Sequence, residues 1–223
     1  MTACVGFLIF PRLQPLDLVG PYEAFARWPE AELHLVAKSR EPVRASSGLV
    51  LAPTTSFAEC PRLDVVCVPG GAGVNALIGD EETLAFLRAR AKEARFVTSV
   101  CTGALVLGAA GLLKGKRATT HWTALDLIAA FGAIPVEARV ARDGKIVTGG
   151  GVTAGIDFAL SLLEDLAGRD VAEAVQLGLE YAPEPPFAAG SPRTARPEIV
   201  ARVRAAGAVS RAERERLVRA WRG

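Results

Sequence analysis

Short apolar segments alternate with segments of helical period along most of this 223-residue chain. The apolar segments have the length and near-continuous hydrophobicity of strands that are covered on both faces. Strands are predicted at residues 4–10, 32–39, 63–68 and 96–100. Helices are predicted at residues 18–28, 80–94, 124–132, 152–168 and 170–181. This alternation predicts an α/β fold in which a mainly parallel sheet carries helices on both faces.

Turn residues interrupt the alternation in three places. Residues 43–57 predict a hairpin or excursion that turns at Gly48, and residues 136–150 predict a hairpin around Asp143-Gly144. Residues 182–192 are too rich in proline for a helix or a strand and predict a loop.

Residues 96–115 join a predicted strand to a helix of small residues, with Cys101 at the junction. A cysteine in the first turn of a helix faces unpaired backbone N–H groups and the positive end of the helix dipole, which stabilise a thiolate. We therefore expect its pKa to lie below the usual value of about 8.5. The same pattern fits a small residue of the core. The residues alone leave a nucleophile and a packing thiol open.

Sites in open parallel sheets form beyond the carboxyl ends of the strands. Asp17, the Gly70-Gly71 loop and Cys101 each follow a predicted strand, and we expect them to meet in one cleft. The backbone N–H groups of Gly71 and Ala72, with those at the start of the helix, would then hold a developing negative charge.

Four further assignments concern side chains near this cleft. Thr102 adds a hydroxyl beside the sulfur, and Gly103 permits a close approach of chain or ligand. Asp17 is either an N-cap of the following helix or a carboxylic acid whose pKa is raised by burial and a neighbouring thiolate. In the second role it delivers a proton. His121 is either a general base or a hydrogen-bonded residue of the pocket wall.

Composition excludes a disordered chain, since 50% of the residues are apolar and 22% are charged. The net charge of +2 is unevenly distributed: residues 193–222 contain nine Arg and three Glu, a net +6 that leaves −4 elsewhere. A nucleic-acid patch and a solvated helical face that covers part of the core both fit this segment, and the helical spacing of the arginines favours the second. We predict an α/β domain over 1–192 and an Arg-rich helical extension over 193–223.

The N-terminal segment lacks the basic region of a signal peptide, and its apolar run is too short to span a membrane, so a cytoplasmic location is expected. The four cysteines show no CxxC spacing, and neither histidine lies near a cysteine in sequence. We therefore predict no zinc site and no disulfide. The glycine-rich loop lacks both the GxGxxG spacing and a P-loop lysine, which argues against a nucleotide cofactor.

Three motifs in this order carry a family resemblance: PGGAGV at 69–74, TSVCTGALVLGAAGLLKGKRATTHW at 98–122, and VTAGIDFALSLLEDLAG at 152–168. Over about residues 4–200 the chain resembles the ThiJ/PfpI superfamily. The resemblance implies a flavodoxin-like fold with the cysteine on a strand–helix nucleophile elbow.

Within that superfamily, residues 10–25 and 180–192 resemble the isonitrile hydratases. This resemblance implies hydration of small apolar isonitriles to N-substituted formamides through a covalent cysteine thioimidate, without a cofactor. It implies Cys101 as the nucleophile, Asp17 as the acid and base, and Thr102 as a supporting group at the sulfur. A homodimer is also expected from the resemblance.

One difference from related proteins and one motif shared with them define the alternative functions. Relatives with protease-like or glyoxalase-like activity carry a histidine directly after the cysteine, where this chain has Thr102. The cysteine motif also occurs in sensor domains of AraC-type transcription regulators. The alternatives are a glyoxalase-like or carbonyl-adduct hydrolase, against which Thr102 counts, and a non-catalytic ligand or redox sensor related to these sensor domains. Some thirty residues after Pro192 are too few for a paired DNA-recognition module, so we expect no nucleic-acid partner.

Overall fold

Parallel strands form the centre of the protein in the computed structural model, which describes residues 2–221. The strands of the described chain are β1 (Ala3–Leu8), β2 (Ala31–Ala37), β3 (Val43–Arg44), β4 (Val50–Leu51), β5 (Thr55–Ser56), β6 (Val65–Val68), β7 (Phe96–Val100), β8 (Arg117–Ala118), β9 (Ile134–Pro135), β10 (Val140–Asp143) and β11 (Ile146–Gly149).

The α-helices of the described chain are α1 (Pro15–Ala26), α2 (Val74–Leu77), α3 (Glu81–Glu93), α4 (Gly103–Ala109), α5 (Ala154–Ala167), α6 (Arg169–Gly178) and α7 (Pro197–Ala220). A 3₁₀ helix covers Trp122–Phe131. Gly132 ends that helix in the left-handed region, with φ of 75°.

The main sheet has the strand order β10-β11-β7-β6-β1-β2-β5. All its neighbouring strands pair in parallel except β10 and β11. The inner order β2-β1-β6-β7-β11 is that of flavodoxin-like folds, in which the chain reverses its direction of winding beside β1. The crevice at this reversal opens beyond the carboxyl ends of β1 and β6, so it is where a site is expected.

Both predicted hairpins are confirmed. β3 pairs antiparallel with β4, and Gly48 between them has φ of 91°. β10 pairs antiparallel with β11, with Asp143 opposite Ile146 and Gly144 at φ of 61°. The first excursion returns to the main sheet, since β5 pairs with β2.

Helices pack in two groups around the sheet. One group contains α1, α5 and α6, and the other contains α2, α3, α4, the 3₁₀ helix and α7. Within the first group, Gly155 of α5 lies so close to Pro21 of α1 that a Cβ at Gly155 would stand 2.8 Å from Pro21 Cδ. The absence of a side chain at Gly155 therefore lets α1 and α5 pack closely.

The core lies on both sides of the sheet, because β6, β7 and β11 are buried along their whole length. Phe7 of β1 packs against Phe25 of α1, with ring centroids 6.3 Å apart. Phe158 of α5 is also fully buried. Within residues 2–221, no helix combines the length and the apolar content needed to cross a membrane.

The Arg-rich C-terminal segment is helical, as predicted, over α7. Its last described residue, Trp221, donates a hydrogen bond from Nε1 to Ala109 O at 3.2 Å and packs edge-on against Phe131. Met1, Arg222 and Gly223, which belong to the two predicted domain ranges, lie outside the described residues. The division of the chain after residue 192 stays a prediction.

Replacing a buried aromatic ring tests the core. We expect Phe158→Ala to lower the free energy of unfolding by about 3–5 kcal/mol, because it removes the transfer free energy of the ring and leaves a cavity. Phe187→Ala is the matched control, since Phe187 is 76% exposed and its loss should change stability by less than about 0.5 kcal/mol. Urea unfolding measures both. Equal losses would contradict the assigned core.

Candidate active site

Cys101 lies in the turn between β7 and α4 with φ of 54°, a backbone conformation that few non-glycine residues adopt. Two hydrogen bonds hold this conformation. Cys101 N–H donates to Gly149 O at 3.0 Å, and Cys101 O accepts from Thr120 Oγ1 at 2.6 Å. A sharp turn between strand and helix therefore presents the sulfur at the carboxyl edge of the sheet, in the geometry expected of an elbow.

The loop after β6 lies against this turn. Gly71 N–H donates to Thr102 Oγ1 at 3.0 Å. A Cβ at Gly70 would stand 2.6 Å from Thr102 N and 2.8 Å from Asp17 Oδ2. Gly70 is therefore required where three segments of the chain meet. The predicted convergence of Asp17, the glycine loop and Cys101 is found in the structure.

Asp17 is not an N-cap. Helix α1 begins at Pro15, three residues before the predicted boundary, with Gln14 in the capping position, so Asp17 lies within the first turn of the helix. Its carboxyl is completely buried, and Oδ2 accepts a hydrogen bond from Gly70 N–H at 2.8 Å. Oδ1 is buried without a hydrogen-bond partner among the described residues. Burial raises the pKa of Asp17 to about 7, against the opposing effects of Gly70 N–H and the Cys101 thiol.

The expected low pKa of Cys101 is wrong. Burial raises the pKa of the Cys101 thiol well above its usual range, and the negative charge of Asp17 raises it further. The backbone N–H and the hydroxyl of Thr102 lower the pKa, as expected of groups at a helix start, but they do not outweigh burial. The resting pair at neutral pH is therefore a neutral thiol beside a carboxyl whose pKa is about 7.

The expected set of anion-binding N–H groups needs one correction. Gly71 N–H is engaged by Thr102 Oγ1, so it does not point freely at a ligand. Gly71 and Ala72 still line the cavity beside Cys101. The missing side chain of Gly103 allows close packing against the end of β6 and not the close approach of a ligand, because a Cβ there would stand 2.1 Å from Val68 O.

A cavity of about 890 Å³ opens at Cys101. Its walls come from the glycine loop, the elbow, the 3₁₀ helix, α7 and the loop before α5. The lining residues are Gln14, Gly71, Ala72, Cys101, Thr102, His121, Trp122, Thr123, Asp126, Val152, Arg204, Gly207, Ala208, Ser210, Arg211, Ala212, Arg214 and Glu215. Trp122 is thus a wall residue, whereas Trp28 is packed in the core.

His121 lies in the wall, as one of its two interpretations predicted. Its Nδ1 is 2.7 Å from Thr123 Oγ1 and accepts a hydrogen bond from Thr123 N–H at 3.4 Å. Burial lowers the pKa of His121, and the charge of Arg214 lowers it further. Both effects favour the neutral form of the imidazole.

The wall formed by α7 was missed by the sequence analysis, which assigned the arginines to a solvated face. Arg211 binds Asp126 through both terminal nitrogens and also pairs with Glu215. Arg214 is only 6% exposed. The helical spacing of the arginines was a correct signal for a helix, but spacing alone does not say which face is covered.

Cys4, Glu32 and His34 form a second cluster, in the amino-terminal halves of β1 and β2. Their ligand atoms all lie within 4.8 Å of one another, a grouping that could hold a metal ion. The sequence does not reveal this cluster, because Cys4 lies far from Glu32 and His34 along the chain. The parallel pairing of β1 with β2 places Cys4 beside Glu32. Cys101, by contrast, follows the carboxyl end of β7. The two clusters are thus at different ends of the sheet.

Comparison with known proteins agrees with the fold and the motifs. Residues 3–165 match the DJ-1/PfpI family. The chain belongs to this family. It is 61% identical to the isonitrile hydratase of Pseudomonas putida over 208 residues, which covers 92% of this chain and 91% of that protein. Family membership confirms the predicted superfamily and its α/β fold.

Two further family comparisons extend this result. The crystal structure of a ThiJ/PfpI family protein from Pseudomonas syringae superposes with a TM-score of 0.95 at 45% identity, covering 98% of this chain and 91% of that chain. The HTH-type transcriptional regulator GbdR of Pseudomonas aeruginosa is 29% identical over 184 residues, which covers 77% of this chain and 48% of that protein.

Filling the space at Gly70 tests the junction of the three segments. We expect Gly70→Ala to lower the free energy of unfolding by about 1–3 kcal/mol, because the new methyl group forces the loop away from Thr102 and Asp17. Gly79→Ala is the matched control, since no atom lies within 4 Å of a Cβ built there. Urea unfolding of both variants gives the comparison. A neutral Gly70→Ala would refute the close approach.

Proposed function

We propose that this protein hydrates isonitriles to N-substituted formamides. The observation that carries the proposal is the buried Asp17–Cys101 pair, in a chain 61% identical to an isonitrile hydratase over 92% of its length. The terminal carbon of an isonitrile accepts a nucleophile and then needs a proton on the same carbon. A thiol and a carboxyl that exchange one proton supply both.

In the first step, the Asp17 carboxylate takes the thiol proton as Cys101 Sγ attacks the terminal isonitrile carbon. The carbon lone pair then takes the proton from Asp17, and the product is a thioimidate, R–N=CH–S–Cys. The raised pKa of the thiol is no obstacle, because the neighbouring carboxylate removes its proton during attack. The Thr102 N–H and hydroxyl, which lower the pKa of the thiol, stabilise the charge on sulfur in this step.

In the second step, Asp17 takes a proton from water as the water oxygen attacks the thioimidate carbon. Asp17 passes this proton to the imine nitrogen. The hydroxyl of the tetrahedral intermediate then gives its proton to Asp17 as the C=O bond forms and the C–S bond breaks. The sulfur leaves as a thiolate and recovers its proton through Asp17. The product is R–NH–CHO, and the enzyme returns to its initial state. No electron acceptor or donor is needed.

The cavity supports a substrate with an apolar body. Val152, Trp122 and the small residues Gly207, Ala208 and Ala212 supply apolar surface around the reacting sulfur. Thr102 in place of a histidine argues against a glyoxalase-like or carbonyl-adduct hydrolase. His121 is engaged with Thr123, and this supports a wall role over that of a general base.

A sensor without catalysis is excluded if turnover is seen. A homodimer, a cytoplasmic location and independence of cofactors stay predictions.

Removing the sulfur tests the nucleophile. We expect Cys101→Ala to abolish formamide production from an alkyl isonitrile, followed by mass spectrometry, because no thioimidate can form. Cys60→Ala is the matched control, a buried thiol in a loop outside the cavity, and should retain activity. In the unmodified protein, acid quenching should trap the substrate mass on the peptide that contains Cys101. Turnover by Cys101→Ala would overturn the mechanism.

The pH dependence tests Asp17. Because its pKa is about 7, the carboxyl is protonated below that pH and cannot accept the thiol proton. We expect kcat/KM to rise with pH through about 7 and then level off, since the pKa of the thiol lies far higher. Asp17→Asn should lose about 10²–10⁴-fold in kcat/KM together with this acid limb.

Glu23→Gln on the same helix is the control for Asp17. Glu23 is half exposed and paired with Arg27, so its neutralisation should leave both the rate and the pH profile unchanged. An Asp17→Asn variant with an unaltered profile would show that another group sets the acid limb.

A further inference from the structure

Arg214 of α7 is a buried guanidinium in the wall of the cavity that Cys101 lines. Its side chain is held by neutral acceptors. Nε donates to Asn75 Oδ1 at 3.0 Å, and Nη2 donates to Ser210 Oγ at 3.4 Å. Arg214 is thus fixed in place by two hydrogen bonds that do not neutralise its charge.

Among residues 2–221, no carboxylate oxygen lies within the 4.0 Å of an ion pair with Arg214. Glu213 is next to it in sequence, but its Oε2 accepts a hydrogen bond from Asn75 Nδ2 at 2.8 Å. Burial lowers the pKa of Arg214, while the charges of a Cys101 thiolate and of Glu213 act in the opposite direction. A buried cation without a bound anion is costly, which makes an anionic ligand favourable at this point.

The other charged residues of the cavity leave Arg214 as the available partner for an anion. The two lining carboxylates, Asp126 and Glu215, are both bound by Arg211. Arg204 lies at an exposed position with its guanidinium 5.5 Å from the centroid of the Trp122 ring. The lining residues therefore carry more positive than negative charge, and Arg214 is the buried arginine among them.

We propose, on the basis of the hydration proposed above, that the preferred substrates are isonitriles that carry a carboxylate, and that Arg214 binds this carboxylate. A planar guanidinium matches two carboxylate oxygens, and such pairs are strong when water is excluded. Cys101 and Arg214 line the same cavity, so a ligand bound there meets both the sulfur and the guanidinium. The apolar walls then contact the part of the substrate between these two groups.

The test compares isocyanoacetate with its neutral ethyl ester as substrates. We expect the unmodified protein to prefer the anion in kcat/KM, mainly through a lower KM. Arg214→Gln should reduce this preference by about 10–100-fold, the effect of losing hydrogen bonds to a charged group. Arg214→Lys, which keeps the charge but not the planar fork, should retain part of the preference. The preference is a ratio, so a general loss of folded protein does not change it.

Arg216→Gln is the matched control, because Arg216 lies two residues away on the exposed side of α7 and does not line the cavity. It should keep the full preference for the anion. Equal kcat/KM values for the acid and the ester in the unmodified protein would overturn the proposal. So would an Arg214→Gln variant that loses activity equally with both, since that pattern indicates a counter-charge for the thiolate or a folding role.

A second measurement is independent of isonitrile turnover. Alkylation of Cys101 by iodoacetate and by iodoacetamide, followed by peptide mass spectrometry, compares an anionic with a neutral reagent at the same sulfur. We expect Arg214→Gln to lower the iodoacetate-to-iodoacetamide rate ratio at Cys101 and to leave that ratio unchanged at Cys60. If isonitriles are not hydrated but this ratio falls, the proposed function fails and the anion site stands. An unchanged ratio overturns the anion site.

Discussion

The hydrogen bond from Gly70 N–H to Asp17 Oδ2, 2.8 Å long, joins the parts of the site. Asp17 belongs to α1, Gly70 follows β6, and the next residue, Gly71, bonds to Thr102 on the elbow after β7. Three crossovers of the parallel sheet are therefore tied together at one point. Gly70 can fill this point because it has no side chain, and the carboxyl can stay buried because one of its oxygens is bonded.

Burial of this pair sets its chemistry. In water a carboxyl is ionised and a thiol is neutral at pH 7. Here burial raises the pKa of both Asp17 and Cys101, and each group also affects the other. The expected effect of the helix start is present through Thr102, but it is smaller than the loss of solvation. The elbow therefore holds a neutral thiol, and in the proposed mechanism Asp17 removes its proton.

Helix α7 completes the wall of the cavity that opens at the carboxyl ends of the strands. Its residues form one wall of the cavity, and the contact of Trp221 with Ala109 and Phe131 holds its end against the fold. Arg211 pairs with both acids of this wall, whereas Arg214 is buried with no carboxylate of the described residues in an ion pair with it. The thiol and the carboxyl thus come from residues that follow the ends of β7 and β1, and the buried guanidinium in the cavity wall comes from a segment far along the chain.

Much of this protein was predictable from its sequence. Short, nearly continuous apolar runs predicted the strands, and hydrophobicity of period 3.6 predicted the helices. The positions that follow strands predicted that Asp17, the glycine loop and Cys101 would meet. Three features were not predictable: the direction of the pKa shift of Cys101, the wall formed by α7, and the grouping of Cys4 with His34. Strands, helices and turns could be predicted because their formation depends mainly on residues that are close in sequence. Solvation, cavity walls and clusters depend on residues distant in sequence, so only the packed structure decided them.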